Sequence, residues 1–263
     1  MDFLLNDLHC HSTLSSCCSD PAMTPQVILE HAERSNHQAL CLTDHLWDAA
    51  VPGASEWYAP QDIEHVRSAL PLPQGKQLRF RFGCETELPA NGIPALAPEH
   101  FGLFDFVVIP VNHMHMKGLV RPAGVDTPEK MAKLIEDRLE RLLELDLPFQ
   151  KIGIAHLTCG LMFAEGSIAD VVRCMDESRL MRIFAGYAQA GAGIELNASC
   201  FEGWGDQQEE MLLMYRIAKE AGCQFYCCSD AHTVAVLGSV SRVLPGVIRL
   251  LGLTSEHQYH IPD

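Results

Sequence analysis

The chain has 263 residues, 48% of them apolar and 20% charged, enough for a sizeable core and too apolar for a mainly disordered chain. Its 34 Asp and Glu against 19 Lys and Arg leave a formal charge of −15, which speaks against an extended nucleic-acid or anionic-membrane surface, because phosphate backbones need clustered cations. No apolar run reaches membrane-spanning length, and the opening MDFLLNDLHCHS has neither the basic nor the long apolar region of a secretory signal.

In chain order, short apolar runs predict strands at Phe3–Leu8, Ala39–Thr43, Arg79–Cys84, Asp105–Val111, Ile152–Ala155, Gly193–Asn197 and Gln224–Ser229. Between them, Thr24-Pro25 opens a helix to about Asn36, and Pro60–Leu70 predicts a second. Thr127-Pro128-Glu129 opens a long helix ending near Asp146, and Ile168–Ala185 and Gln207–Ala221 follow, the last stopped by Gly222. Seven strands alternating with helices imply one domain with a parallel sheet and right-handed crossovers, either a barrel or an open doubly wound sheet. No G-x-G-x-x-G or phosphate-binding loop follows the first strand to favour the open form. The eleven cysteines are odd in number and include no C-x-x-C pair, so they read as small buried hydrophobes in a reducing, cytoplasmic setting.

The chemistry gathers where strands end. Asp7-Leu8-His9-Cys10-His11 follows the first strand and Thr43-Asp44-His45 the second. Gly83-Cys84-Glu85, Asn112-His113-Met114-His115 and His156 follow the third, fourth and fifth, and Ser229-Asp230-Ala231-His232 the seventh. Seven of the thirteen histidines sit at these places, at the end where a parallel barrel carries its active site. Residues two apart on a strand point the same way, so His9 and His11 converge, as do Asp230 and His232. Imidazole and carboxylate together suit zinc, manganese or iron. A lone instance of any of these would read as a structural histidine or a turn cap; their coincidence at six strand ends is what argues for a site.

The strings DLHCHSTLSSCCSD, LTDH, GCE, a histidine after strand four, AHL and SDAH resemble, in order, the motifs of the polymerase and histidinol phosphatase (PHP) family. The resemblance spans residues 7–232 and implies a distorted (β/α)7 barrel that hydrolyses phosphoesters with three divalent ions. Carried over, it implies that His9, His11, Glu85 and Asp230 hold a first ion. Glu85 then bridges to a second ion, held also by His113 and His156, and Asp20, His45 and His232 hold a third. His115 is the alternative ligand at strand four, or a group that contacts substrate or transfers a proton. Glu85 and Asp230 stand at the centre of catalysis, where water activated between two bridged ions attacks phosphorus.

Around this set, Asp7 and Asp44 are candidates to orient ligand imidazoles, and Lys117, Arg121 and Arg242 are candidates to bind phosphate. Asn197 is a further candidate to line the pocket. The loop bearing Trp47, Trp57 and Tyr58 reads as a lid, a substrate wall or simple packing. The expected substrate is a small phosphomonoester, histidinol phosphate among the candidates. A small phosphodiester, an amide or lactone, and a degenerate, non-catalytic metal module are the alternatives. The last would predict lost ligand positions, and these are filled.

Overall fold

The computed structural model describes residues 2–160 and 167–263. The strands are β1 (Asp7–Cys10), β2 (Leu40–Leu42), β3 (His45–Leu46), β4 (Phe80–Thr86), β5 (Phe106–Pro110), β6 (Ile152–Ala155), β7 (Gly193–Asn197) and β8 (Gln224–Cys228). All pair in parallel in the order β1-β2-β4-β5-β6-β7-β8, with β3 also on β4. Leu40 faces Phe80 and His45 faces Glu85, one unchanged register, so β2 and β3 are two halves of one interrupted strand and the sheet has seven positions. The ends meet: the Asp230 amide donates to the His9 carbonyl at 2.8 Å and the His11 amide to the Ala231 carbonyl at 3.1 Å. The result is a nearly closed (β/α)7 barrel, as expected.

Among the described residues seven α-helices complete it: α1 (Pro25–Arg34), α2 (Ile63–Arg67), α3 (Pro128–Leu143), α4 (Ile168–Arg173), α5 (Glu177–Ala190), α6 (Gln208–Glu220) and α7 (Ser239–Leu251). Thr24 and Thr127 cap α1 and α3 through their hydroxyls, with Pro in the first turn, as the sequence foretold. Three expectations change. The helix predicted over Ile168–Ala185 is two helices, because Asp176 caps a new start by accepting from the Arg179 amide. The second predicted helix shrinks to five residues. α7 was not among the predicted helices, since Pro245 and Gly246 interrupt its pattern.

The strands are buried on both faces, which is why they read as continuous apolar runs. The outer faces pack under the helices in the main core. The inner faces fill the barrel in two layers. The lower layer is apolar and includes Cys41, Phe106, Val108 and Tyr226, with Tyr259 from the C-terminal segment. Gly193 makes room there: a Cβ on it would lie 2.9 Å from the Tyr259 ring. Further along the barrel toward the strand ends the inward positions turn polar: His45, Glu85 and Glu195 are all buried. β1 runs Asp7–Cys10 rather than Phe3–Leu8, and its register against β2 slips between Asp7 and Cys10. Leu8 then joins the lower layer, and His9 joins the polar one.

Candidate metal centre

The polar layer brings together donors from strands far apart in sequence. His9 Nε2 lies 3.1 Å from His11 Nε2, 3.4 Å from Glu85 Oε2 and 3.6 Å from Asp230 Oδ1. His11 Nε2 lies 3.1 Å from the same Asp230 oxygen and 3.6 Å from the same Glu85 oxygen. A tetrahedron of ligands around zinc, with bonds of about 2.0–2.1 Å, has edges of about 3.3–3.4 Å; these five edges scatter around that value. Beside it, Glu85 Oε1 lies 3.2 Å from His156 Nε2 and 3.7 Å from His113 Nε2, and Asp230 Oδ2 lies 3.7 Å from His156 Nε2. Each of the two carboxylates therefore presents one oxygen to each donor group. His11, His45 and His232 form a third group, their donor atoms within 4.8 Å of one another.

For His9, His11, His113 and His232 a partner on the far side of the ring fixes the tautomer. His9 Nδ1 donates to Glu195 Oε1 at 2.7 Å. His113 Nδ1 donates to Glu87 Oε2 at 2.8 Å, and the same oxygen accepts from the Tyr58 hydroxyl at 2.8 Å. The Ser15 hydroxyl donates to Asp44 at 2.6 Å, so its oxygen is left to accept from His11 Nδ1 at 3.0 Å. His232 Nδ1 donates to the Asp230 carbonyl at 3.0 Å. In each case the Nε2 lone pair is left facing the cleft, as a metal-binding histidine requires. His156 and Asp230 are held in left-handed backbone, with φ of +62° and +51°. The His156 amide is taken up by Glu195 Oε2 at 2.8 Å, so Glu195 steadies rings in two donor groups at once.

The electrostatics ask for positive charge. Burial penalises the Glu85 carboxylate, yet His45 and His9 beside it outweigh that and hold it well below the usual carboxylate range. Burial opposes a charge on His9 too, but Glu85, Asp230 and Glu195 raise it to about 10. His11 moves the other way, lowered by burial and by His232 and His45. Adjacent rings thus cannot all carry protons. Among the described residues of the donor groups, three buried side-chain atoms have no hydrogen-bond partner: His156 Nδ1, and His45 Nδ1 and Glu85 Oε2, which lie 2.8 Å apart and out of hydrogen-bond geometry. Buried polar atoms left this way call for a further group, and a cation among them fits the donor chemistry.

Several predicted residues stand elsewhere. Asp20 is outside the donor groups: its Oδ1 accepts from the Ala22 amide and its Oδ2 from the Val234 amide, which makes it a loop cap. Asp7 does not touch an imidazole; it accepts from the Ser229 amide and hydroxyl at 2.9 and 2.7 Å and ties β1 to the end of β8. Asp44 reaches His11 only through Ser15. Lys117 and Arg121 are joined by an isolated backbone bridge and neither lines the pocket, and Arg242 is exposed and ion-paired to Glu202 at 2.5 Å. His113 joins the donors, whereas His115 stands exposed on the pocket wall, its ring 5.6 Å from that of His113. Asn197 donates to Asp230 Oδ2 at 3.1 Å. Two carboxylates escaped the sequence reading, Glu87 and Glu195. Their signal is the strand period: Glu87 follows Glu85 by two, and Glu195 is a charge inside the otherwise apolar, wholly buried β7.

The pocket over the donors has a volume of about 630 Å³. Trp57, Tyr58, Met116 and Leu119 form an apolar wall, and Glu85, His113, His156, Asp230 and His232 form its floor. Among the described residues that line it there is no Lys or Arg. Trp47 packs behind the wall against Tyr58 rather than facing the cleft.

No protein-family model and no curated protein sequence matches the chain. Solved structures do. The histidinol phosphate phosphatase of Lactococcus lactis, complexed with zinc, L-histidinol and phosphate, is similar with a TM-score of 0.60 and 14% identity, over 97% of this chain and 98% of that one. A dihydropteroate synthase of Coxiella burnetii with pteroic acid is similar more loosely, with a TM-score of 0.43 and 9% identity over 96% and 95% of the two chains. An amidohydrolase from a Sargasso Sea sample reaches a TM-score of 0.37 and 13% identity over 99% and 68%. The first of these establishes a shared fold across the whole chain.

Proposed function

We propose that this protein is a metal-dependent phosphoesterase that hydrolyses a small phosphomonoester. The observation that carries the reading is the set of converging donors: His9, His11, Glu85 and Asp230 at tetrahedral-edge spacing, with Glu85 and Asp230 shared with the His113–His156 group. The resemblance of its motifs to the PHP family and the shared fold with a zinc-containing phosphatase support it.

In this reading His9, His11, Glu85 and Asp230 hold one divalent ion, and Glu85, His113 and His156 a second. His45 and His232 belong to a third position. Zinc, manganese and iron all suit the imidazole and carboxylate donors. Bound ions would supply Lewis-acid polarisation of the phosphoryl group and a water of lowered pKa. The protein supplies the rest. Glu85 and Asp230 fix the spacing of the two positions, while Glu195 and Glu87 hold His9, His156 and His113 in place. Among the described residues that line the pocket there is no Lys or Arg, and bound ions would answer the substrate's negative charge. Trp57, Tyr58, Met116 and Leu119 take the organic part and exclude water from it. His115, on the wall and outside the donor groups, is placed to pass a proton to the leaving oxygen.

The test is phosphate release from a panel of phosphomonoesters and phosphodiesters, L-histidinol phosphate included, by protein stripped with chelator and by the same protein with zinc, manganese or iron restored. Release from monoesters only after metal is restored supports the proposal. Equal release without metal, or none from any ester with metal, refutes it.

A further inference from the structure

Behind the rings of His9, His11 and His113 stand Glu195, Ser15 and Glu87, but the ring of His156 has no such partner among the described residues. Its Nε2 is committed to the cleft, 3.2 Å from Glu85 Oε1 and 3.7 Å from Asp230 Oδ2. Its Nδ1 is buried, and Glu195 Oε2 at 3.9 Å is too far to accept from it. Two cysteines close on the same ring. The sulfurs of Cys159 and Cys200 and a nitrogen of His156 all lie within 4.8 Å of one another, a group separate from the three already described. All three residues are buried, His156 at 2%, Cys159 at 6% and Cys200 at 9% exposure. They come from neighbouring strands. His156 and Cys159 follow β6, where the Cys159 amide turns back to the His156 carbonyl at 3.4 Å, and Cys200 follows β7 in the turn Ala198–Phe201. One such thiol alone would read as a small buried hydrophobe. Two of them beside an unmet, buried imidazole nitrogen are a donor set.

We propose that His156 Nδ1, Cys159 and Cys200 hold a zinc ion of their own, a closed structural site behind the cleft. The inference rests on the metal-centre reading only for the role of His156 Nε2. Two thiolates and an imidazole are donors that structural zinc takes, and thiolate is a poor ligand for manganese and magnesium, which prefer carboxylate, carbonyl and water. Glu195 Oε2 is the carboxylate oxygen at hand for the fourth position. Binding displaces the two thiol protons and the ring proton to solvent, so that His156 bridges two ions as an imidazolate. The consequence is positional. The zinc does for His156 what Glu195 and Glu87 do for His9 and His113: it holds the ring from behind with Nε2 toward Glu85. It also ties the end of β6 to the end of β7, at a residue kept in left-handed backbone.

Cobalt(II) reads this directly, because a cobalt–thiolate bond gives a near-ultraviolet charge-transfer band that imidazole and carboxylate do not. The full-length protein, stripped with chelator and kept in a phosphine reductant, is titrated with cobalt, and bound cobalt is counted in parallel. Wild type should show the band. Cys159→Ser and Cys200→Ser should each weaken it and lose about one equivalent of cobalt, whereas His113→Ala should lose cobalt and keep the band. Zinc-loaded wild type needs no variant: X-ray absorption at the zinc edge should show sulfur neighbours at about 2.3 Å. The proposal is overturned if metal binds with neither the band nor the zinc–sulfur distance, or if the band is as strong in both cysteine variants as in wild type. It is overturned equally if peptide mapping finds Cys159 and Cys200 joined as a disulfide in the reduced, metal-loaded protein. Metal bound without thiolate leaves the cleft reading standing and sinks this one. Metal bound by thiolate alone, with none lost in His113→Ala, does the reverse, so the two failures are distinct.

Discussion

Glu195→Gln removes one charge and one acceptor atom while keeping the shape of the side chain, and the geometry limits what the glutamine can do. The native carboxylate accepts from His9 Nδ1 at 2.7 Å and from the His156 amide at 2.8 Å, and its Oε1 also takes the Cys228 thiol at 3.1 Å. A glutamine keeps only one of the two acceptor oxygens. If its oxygen serves the His156 amide, its NH2 meets His9 Nδ1. The His9 ring must then carry its proton on Nε2, which removes the lone pair from the cleft. Replacing a carboxylate that orients a metal-binding histidine costs about 10–100-fold in metal affinity, or about 1.4–2.7 kcal/mol. If the oxygen instead serves His9, the His156 amide faces another donor. That leaves an unsatisfied buried amide, worth about 1–3 kcal/mol of folding stability, at a residue already in left-handed backbone. Zinc affinity by competition with a chromophoric chelator, with thermal unfolding of the metal-free protein, separates the two. The expected result is a tenfold or greater loss of zinc affinity, a lowered midpoint of unfolding, or both. A variant with wild-type affinity and wild-type stability would refute the orienting role of Glu195.

Glu85→Gln should lower turnover by at least about 100-fold and lower bound metal, since one oxygen of the shared carboxylate becomes a donor; metal content and phosphate release measured together check this, and unchanged turnover contradicts it. Lys117→Ala and Arg242→Ala should each leave KM within about twofold, because both side chains are exposed and neither lines the pocket; a large rise in KM would show that one of them reaches substrate. His37 predicts a pH effect at the opposite end of the sequence motifs. Burial, and then His31, lowers it to about 4, and neither ring nitrogen has a hydrogen-bond partner. Its folded pKa lies below the unfolded value of about 6.5, so the unfolded chain takes up the proton first as pH falls. Stability is therefore intact above pH 6.5 and lost progressively between 6.5 and 4. Linkage puts the loss from pH 7 to 5 at about 2 kcal/mol. His37→Leu should flatten the pH dependence of the urea midpoint by that amount, and a slope equal to wild type would contradict the assignment.

The placement of the site was legible in the sequence because position and period carry it. His9, His11, His45, Glu85, His113, His156 and Asp230 all stand at strand ends on one rim, where a parallel sheet aims them inward. The two caps Thr24 and Thr127 were legible for a similar reason, since a hydroxyl followed by proline acts within one turn. What failed to show depends on contacts across the fold. β1 was misplaced toward Phe3 because an apolar run does not reveal which residues find a neighbouring strand. α7 was hidden by Pro245 and Gly246, whose cost is met by an apolar face of Val240, Leu244, Val247 and Leu251 packed on the barrel. Glu87 and Glu195 have no motif of their own; only the closed barrel brings them behind His113 and His9. Asp20 sits in a loop whose conformation, not its composition, ties its carboxylate to the Ala22 and Val234 amides. Lys117, Arg121 and Arg242 are read from their charge alone, while reach is set by loop geometry, and none of them is among the residues lining the pocket.

The measurement that tests the account most directly is an X-ray structure of zinc-soaked crystals with phosphate, phased with anomalous data at the zinc edge. The account predicts anomalous peaks within bonding distance of His9, His11, Glu85 and Asp230, and of Glu85, His113 and His156, with phosphate oxygens on those peaks facing the Trp57–Leu119 wall. A cleft without anomalous peaks at these donors, or with phosphate bound through Lys117, Arg121 or Arg242 instead, would contradict it.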